Sequence, residues 1–408
     1  ALNDLAISGG SAVRETPVPF MRPQLQPQDV EAAHAVLQSG MLRQATKCAE
    51  LEQRFSQQTD AKHGLTCANG TCALQLAYGS LIKPGDDVLV PAWTYIATAS
   101  MIVAAGARPV FFDCHEDTFQ ADLADAAAKR TPKTTAIALT HLYGCPVDID
   151  AAQAFAAEHG LKVIYDSAQA HLARYKGKGV GAFGDAVTYS FYATKNLGTG
   201  EGGILTVNDD TLRDTIAALR SHGETDKYLH TSIGFNYRMN DITAAIGCSR
   251  LDRLEDESSQ RREAAAKYTA LLEDIEGLHA PTVTEGAEPV WHLYTVKMDL
   301  PKFSVDRDTF CEALKAEGVP TAIHYPRSLT RQPAFADVEG LTHPPVSDGL
   351  SARVFSLPMH HALTAEDIEA VGAAHRKVAA AYRGLAGEAR NLTAPALRRR
   401  RRVRRGVS

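Results

Sequence analysis

The sequence predicts an α/β fold carried by a mostly parallel sheet, and three observations lead there. From about residue 60 onward, segments with a helical apolar period alternate with short runs rich in β-branched residues. Glycine and proline punctuate the joins. The 408 residues, 45% hydrophobic and 22% charged, have the composition of an ordinary globular chain, long enough for two or three domains or one large α/β body.

The elements follow in order. In "GTCALQLAYGSLI" the residues Leu74, Ala77, Tyr78 and Leu81 recur at helical spacing, and Pro84, Gly85 and Asp86 stop the pattern, so a helix begins at a glycine. "DVLVPA" reads as a strand, "ATASMIVAAGA" as a helix closed by Gly106, and "RPVFFD" as the next strand. The alternation continues through "TTAIALTHLYG", the helix "DIDAAQAFAAEHG" and "LKVIYD". "AVTYSFYA" and "GGILTVN" are strand-like, which places Lys195 on the connection between them. From Asn240 a long helical pattern with Ile242, Ala245, Ile246, Leu251 and Leu254 runs into the charged "RLEDESSQRREAAAKY". It bridges to a second, smaller domain expected at residues 261–390, with strands in "HLYTVKMDL" and "PTAIHY" and helices around Asp306–Glu317 and Ala365–Ala381. Residues 1–260 then form an N-terminal segment and the large domain, and residues 391–408 a basic, disordered tail.

Composition excludes several classes. The net charge of −5 includes seven arginines in "RRRRRVRR" at Arg398–Arg405, so the body is more acidic than the total and is a poor general nucleic-acid binder. The tail itself has no interleaved aromatic residues and follows the linker-like "NLTAPAL". Seven scattered cysteines form no C-x-x-C pair, so neither a disulfide framework nor a metal site is expected. The longest apolar runs fall far short of a bilayer span and "ALNDLAISGG" lacks a basic region followed by an apolar block, which leads to the expectation of a cytoplasmic protein with no membrane contact.

Three features bear on chemistry. Asn69, Gly70 and Thr71 open a helix in "CANGTCALQL", where unpaired backbone amides and the positive dipole end can hold an anion; the same residues also suit plain capping. "VIYDSAQAH" delivers Asp166 at the C-terminal end of a buried strand, where open α/β sheets place ligands; an Asp capping the next turn fits equally well. In "SFYATKNLGTGEGG", Lys195 lies between an aromatic run and the glycines Gly198, Gly200, Gly202 and Gly203. Apolar walls lower a lysine pKa and free its amine to attack a carbonyl, and the glycines are expected to let backbone approach a bulky ligand. An anion cradle, an acid for a ring nitrogen and a Schiff-base lysine together match the three handles of pyridoxal 5'-phosphate.

With "PAWTYIATAS", "GFNYRMNDITAAIG" and "GVPTAIHYPRSLTRQPAF", these motifs resemble the sugar aminotransferases of the DegT/DnrJ/EryC1/StrS family from about Pro23 to Leu363. The resemblance implies the fold-type I, aspartate aminotransferase-like architecture: a large domain with a mostly parallel seven-stranded sheet and a smaller C-terminal α/β domain. It implies that Lys195 forms the Schiff base and shuttles the proton, that Asp166 pairs with the pyridine nitrogen, and that Gly70, Thr71, Cys72 and Ser190 hold the phosphate. Tyr95, or else Trp93, would stack on the ring, and Gln169 would sit near its hydroxyl. Asn236 would reach the phosphate of a neighbouring subunit, making a homodimer with shared sites. His324 and Tyr325 would stand at the substrate mouth. "LRQATKCAELEQRF", with Ala45 and Thr46, departs from the family pattern where relatives carry Gly-Pro.

The activity so implied is transfer of an amino group from L-glutamate to a ketone of a UDP- or dTDP-linked keto-deoxy sugar. The N-terminal "LAISGGSAVR" favours an alternative, an L-glutamine:ketocyclitol aminotransferase, and a non-catalytic regulatory protein is a more distant one. The choice of substrate is expected to depend on the loops around His222, Glu224 and His324.

Overall fold

Seven short, largely buried strands form the large sheet of the computed structural model, which describes residues 2–383. They are β1 (His63–Cys67), β2 (Asp87–Pro91), β3 (Arg108–Phe112), β4 (Thr134–Thr140), β5 (Lys162–Asp166), β6 (Ala186–Ser190) and β7 (Gly203–Val207). Their spatial order is β1-β7-β6-β5-β4-β2-β3, with β7 antiparallel to both neighbours and every other pairing parallel. The expected mostly parallel seven-stranded sheet is therefore present.

The two-residue period of a strand divides the core into two layers. Leu89, Ile137, Leu139, Val163 and Tyr165 face one cluster, while Val88, Val90, Ala136, Ala138 and Ile164 face the other. Helices cover both faces, as a parallel sheet requires: α1 (Pro27–Ser39), α2 (Thr46–Gln58), α3 (Gly70–Leu81), α4 (Ile96–Ala104), α5 (Leu123–Ala128), α6 (Ile149–His159), α7 (Asp210–Arg220) and α8 (Asp241–Leu251). The departure at "LRQATKC" has a local purpose: Asp241 accepts from the amides of Ala45, Lys47 and Cys48 and so caps the start of α2.

Two expectations need correction. The long helical pattern from Asn240 breaks at Asp252–Arg253, giving α8 and α9 (Leu254–Glu273), and the break turns Arg253 onto the fully buried Asp29 of α1 at 2.6 and 2.8 Å. "PTAIHY" is no strand; it makes one bridge, Ala322 with Ser356, and then leaves the sheet edge so that His324 and Tyr325 reach a cavity.

The C-terminal unit holds a three-stranded antiparallel sheet, Leu278–His279, Tyr294–Met298 and Val354–Leu357, with α10 (Arg307–Ala316), α11 (Pro345–Leu350) and α12 (Ala365–Arg383). Its core of Tyr294, Phe310, Phe355 and Val371 also contains Leu5 and Val18. The N-terminal segment, grouped by sequence with the large domain, thus packs on the C-terminal unit, because its two buried apolar side chains find their partners there. The arginine tail lies outside the described residues.

Asp29 also accepts from Ser249 Oγ and the Gln26 amide, so all its bonds are to fixed donors. Asp29→Ala leaves Arg253 with Glu257 as its remaining carboxylate partner and is expected to cost about 1.5–3 kcal/mol, seen as a lower urea midpoint.

Candidate active site

The C-terminal ends of β4, β5 and β6 open onto a cavity of about 730 Å³. The sheet register sets Thr140, Asp166 and Thr188 side by side at this edge. Asp166 is buried, with Oδ2 accepting from Thr98 Oγ1 at 2.6 Å and Oδ1 from the Ala168 amide at 3.0 Å. Burial pushes its pKa above the usual carboxylate value, against the opposing pull of these two donors and of Lys195.

The start of α3 forms a second wall. Asn69, in extended backbone, caps the helix by accepting from the Cys72 amide at 2.8 Å. The first two amides, of Gly70 and Thr71, have no partner within the helix and lie where the dipole is positive. Gly70 also permits contact with the end of β6, since a Cβ there would lie 2.8 Å from Ser190 Cβ. Gly70, Thr71 and Ser190 line the cavity; Cys72 does not, and its amide is already taken by Asn69.

Lys195 enters from the β6–β7 connection and is half-buried. Among the described residues, none forms a hydrogen bond or ion pair with its Nζ. Burial lowers its pKa below the usual 10.5, and the charge of Asp166 partly offsets this. The segment is fixed from behind: the buried Arg250 donates to Gly198 O at 2.7 Å and Asn196 O at 3.4 Å, and Asn196 Nδ2 donates to Val290 O at 3.0 Å.

The glycine cluster serves a purpose other than close approach to a ligand. None of Gly198, Gly200, Gly202 and Gly203 lines the cavity. A Cβ on Gly198 would meet Ala193 O at 2.6 Å, and one on Gly203 would meet Asn69 C and O at 2.5 Å. These glycines let the lysine segment fold onto itself and onto the start of α3. Gly200, at φ +94, adds a turn that L side chains rarely adopt.

Of the remaining expected residues, Gln169, Tyr95, His324 and Tyr325 line the cavity. Gln169 accepts from the Tyr143 amide at 2.7 Å and donates to Tyr325 Oη at 3.3 Å. Tyr95 is 60% exposed at the start of α4, whereas Trp93 is buried, donates to Tyr143 Oη at 3.0 Å and is not part of the lining. His324 Nδ1 hydrogen-bonds Ser356 Oγ at 3.0 Å, and burial pushes its pKa down to about 4, so it is neutral at neutral pH. Asn236, His222 and Glu224 lie outside the lining of this chain's cavity, the first two exposed.

Sequence reasoning missed Thr98, His292, Phe20 and Met21. Thr98 had a faint signal, its i,i+4 spacing from Thr94. His292, buried in the lining with Nδ1 at 3.2 Å from Asn196 Oδ1, had none. Among the described residues no cluster could hold a metal ion, and no helix is long and apolar enough to cross a membrane.

Comparison with known proteins places this geometry. The model of the DegT/DnrJ/EryC1/StrS aminotransferase family matches residues 23–376. The chain is 39% identical over 370 residues to the "Pleiotropic regulatory protein" of Geobacillus stearothermophilus, covering 89% of this chain and 96% of that one. It is 38% identical over 341 residues to the UDP-2-acetamido-2-deoxy-3-oxo-D-glucuronate aminotransferase of Pseudomonas aeruginosa, covering 83% and 92%. The crystal structure of S. venezuelae DesV superposes with a TM-score of 0.85 at 34% identity, covering 89% of this chain and 99% of that one.

A lysine whose pKa is lowered in the fold binds fewer protons there than in the unfolded chain, so its contribution to stability rises with pH up to the usual value. Cofactor-free Lys195→Met is therefore expected to be more stable than wild type at neutral pH, and the gap to close as pH nears 10.5. Thermal unfolding at neutral and alkaline pH measures it; a gap independent of pH contradicts the shift.

Proposed function

The chain belongs to the DegT/DnrJ/EryC1/StrS aminotransferase family, and from that premise we propose that its cavity takes pyridoxal 5'-phosphate and moves an amino group from L-glutamate to a ketone of a UDP- or dTDP-linked keto sugar. The observation that carries this reading is the unpartnered amine of Lys195 in the same cavity as the buried carboxyl of Asp166 and the open start of α3. The residues fit the group: an amine for its aldehyde, a carboxylate with acceptor capacity to spare for a protonated ring nitrogen, and amides with a hydroxyl for its phosphate. When bound, the cofactor supplies a carbonyl carbon for the amino group and a ring that takes up the electron pair released at the substrate carbon.

Each side chain then has a task. Asp166 would hold the proton of the ring nitrogen by its charge, and Thr98 keeps its Oδ2 aimed. The Gly70 and Thr71 amides and the Thr71 and Ser190 hydroxyls bind phosphate oxygens. Tyr95, which lines the cavity, would cover one face of the ring. With the group bound, the free Nζ of Lys195 would take the proton from the donor's α-carbon and return it one step later. A lowered pKa keeps Nζ able to accept that proton at a lower pH than an ordinary lysine would. Because the cofactor would carry the amino group between the two half-reactions in one cavity, the keto acid leaves before the keto sugar enters, and the kinetics are ping-pong. The neutral His324 can donate to or accept from a sugar hydroxyl. The exposed Asn236 suits contact with a second copy, and we place it at the cavity of that copy in a homodimer.

The P. aeruginosa relative is named for a UDP-linked keto sugar, which supports that acceptor class over a ketocyclitol with L-glutamine as donor. A non-catalytic regulatory role would leave the placing of Lys195 and Asp166 in one cavity without a use.

Protein loaded with pyridoxal 5'-phosphate is expected to release the keto acid of L-glutamate in a single turnover, one per site, and then to aminate UDP-2-acetamido-2-deoxy-3-oxo-D-glucuronate. Lys195→Ala should slow the first step by about a thousandfold or more. Equal rates in variant and wild type contradict the assignment.

A further inference from the structure

Residues 2–21 form a strap fastened along its length to the C-terminal unit. Its anchor is Glu317, whose fully buried carboxylate accepts from the Ala6 amide at 2.8 Å, the Val13 amide at 3.1 Å and Lys377 Nζ at 2.8 Å. Lys377 Nζ also donates to Ser11 O at 2.7 Å, and Arg14 pairs with Asp367 at 3.0 Å. The Arg14 and Val18 amides donate to Glu317 O and Gly318 O at 3.0 and 2.9 Å. Gly318 is obligatory here, since at φ +88 a Cβ would lie 2.3 Å from Arg14 O. Further on, His360 Nε2 donates to Pro19 O at 2.9 Å and the Met359 amide to Phe20 O at 3.2 Å. Leu5 and Val18 lock the same stretch into the core.

The strap ends at the cavity. Phe20 and Met21 line it, and Met21, like Tyr325, packs on the cluster that holds Trp93, Tyr143 and Leu293. Given the proposed function, on which this step rests, we infer that Phe20 and Met21 select the acceptor, as an apolar wall that the Glu317 anchor holds in place.

The chemistry separates the two substrates. The side chain of L-glutamate ends in a carboxylate, which gains nothing from a phenyl ring and a thioether and would lose hydration against them. The acceptor's pyranose ring presents C–H surface that L-glutamate lacks, and the acetamido methyl of the sugar named above adds to it; aromatic and Met side chains bury such surface well. The polar wall at the strand ends and the apolar wall at the strap therefore divide the work. The first handles the reacting carbon common to both substrates, the second the body of the acceptor.

The test compares kcat/KM for L-glutamate and for the UDP-linked keto sugar named above, in protein loaded with pyridoxal 5'-phosphate. Phe20→Ala and Met21→Ala are each expected to lose about tenfold more with the keto sugar than with L-glutamate, the scale of one apolar contact in a pocket. Phe20→Leu and Met21→Leu should restore most of that ratio. Glu317→Gln, which touches no substrate, should shift the ratio in the same direction while amides of residues 2–21 exchange hydrogen faster. Equal losses with both substrates, or an unchanged ratio in all variants, overturn the selecting role while leaving the transaminase reading intact. A wild type that reacts with L-glutamate and with no UDP- or dTDP-linked keto sugar overturns the acceptor class and, with it, this wall.

Discussion

Asp166 and Lys195 share one cavity at the end of the central sheet, and burial works against the charge on each of them in opposite directions: it favours a proton on the carboxyl and disfavours one on the amine. Each charge offsets part of the cost of the other, but neither makes a direct bond to its neighbour. Asp166 spends its bonds on Thr98 and Ala168, and Lys195 Nζ has no partner among the described residues. The arrangement is poised for a ligand that brings a positive nitrogen to one group and a carbonyl carbon to the other. The rest of the molecule can be understood as what keeps these two side chains in one cavity.

The sheet register does the first part, aligning Thr140, Asp166 and Thr188 on neighbouring strands. The glycine cluster does the second by allowing the lysine segment to lie against the start of α3 with backbone touching backbone. Arg250 does the third, tying the carbonyls just beyond Lys195 to α8. Another part of the lining comes from the C-terminal unit, whose core also takes in Leu5 and Val18 of the N-terminal segment. The cavity is thus framed by segments more than 300 residues apart in sequence, joined through Glu317.

Features set by local pattern were legible in the sequence. Lys195 stood out because an aromatic run and glycines flank it, Asp166 because it ends a β-branched strand, and Gly70 and Thr71 because a helix visibly starts there. Features set by tertiary contact were not. Whether the Cys72 amide is free depends on which way Asn69 turns its side chain, and the glycines' steric partners lie on another element. Thr98 matters only because α4 packs beside the end of β5. The break between α8 and α9 answers to an aspartate more than 200 residues earlier, which no helical period can reveal. Phe20 and Met21 sit in a stretch without period or motif, and only folding brings them to the cavity.

The account turns on one atom, Lys195 Nζ, and one measurement addresses it most directly. Protein incubated with pyridoxal 5'-phosphate, reduced with borohydride and digested can be mapped by mass spectrometry for the lysine that carries the trapped cofactor. Label confined to the peptide containing Lys195, and strongly reduced in Asp166→Ala, is the predicted result. Label spread over surface lysines, or absent from Lys195, would contradict it.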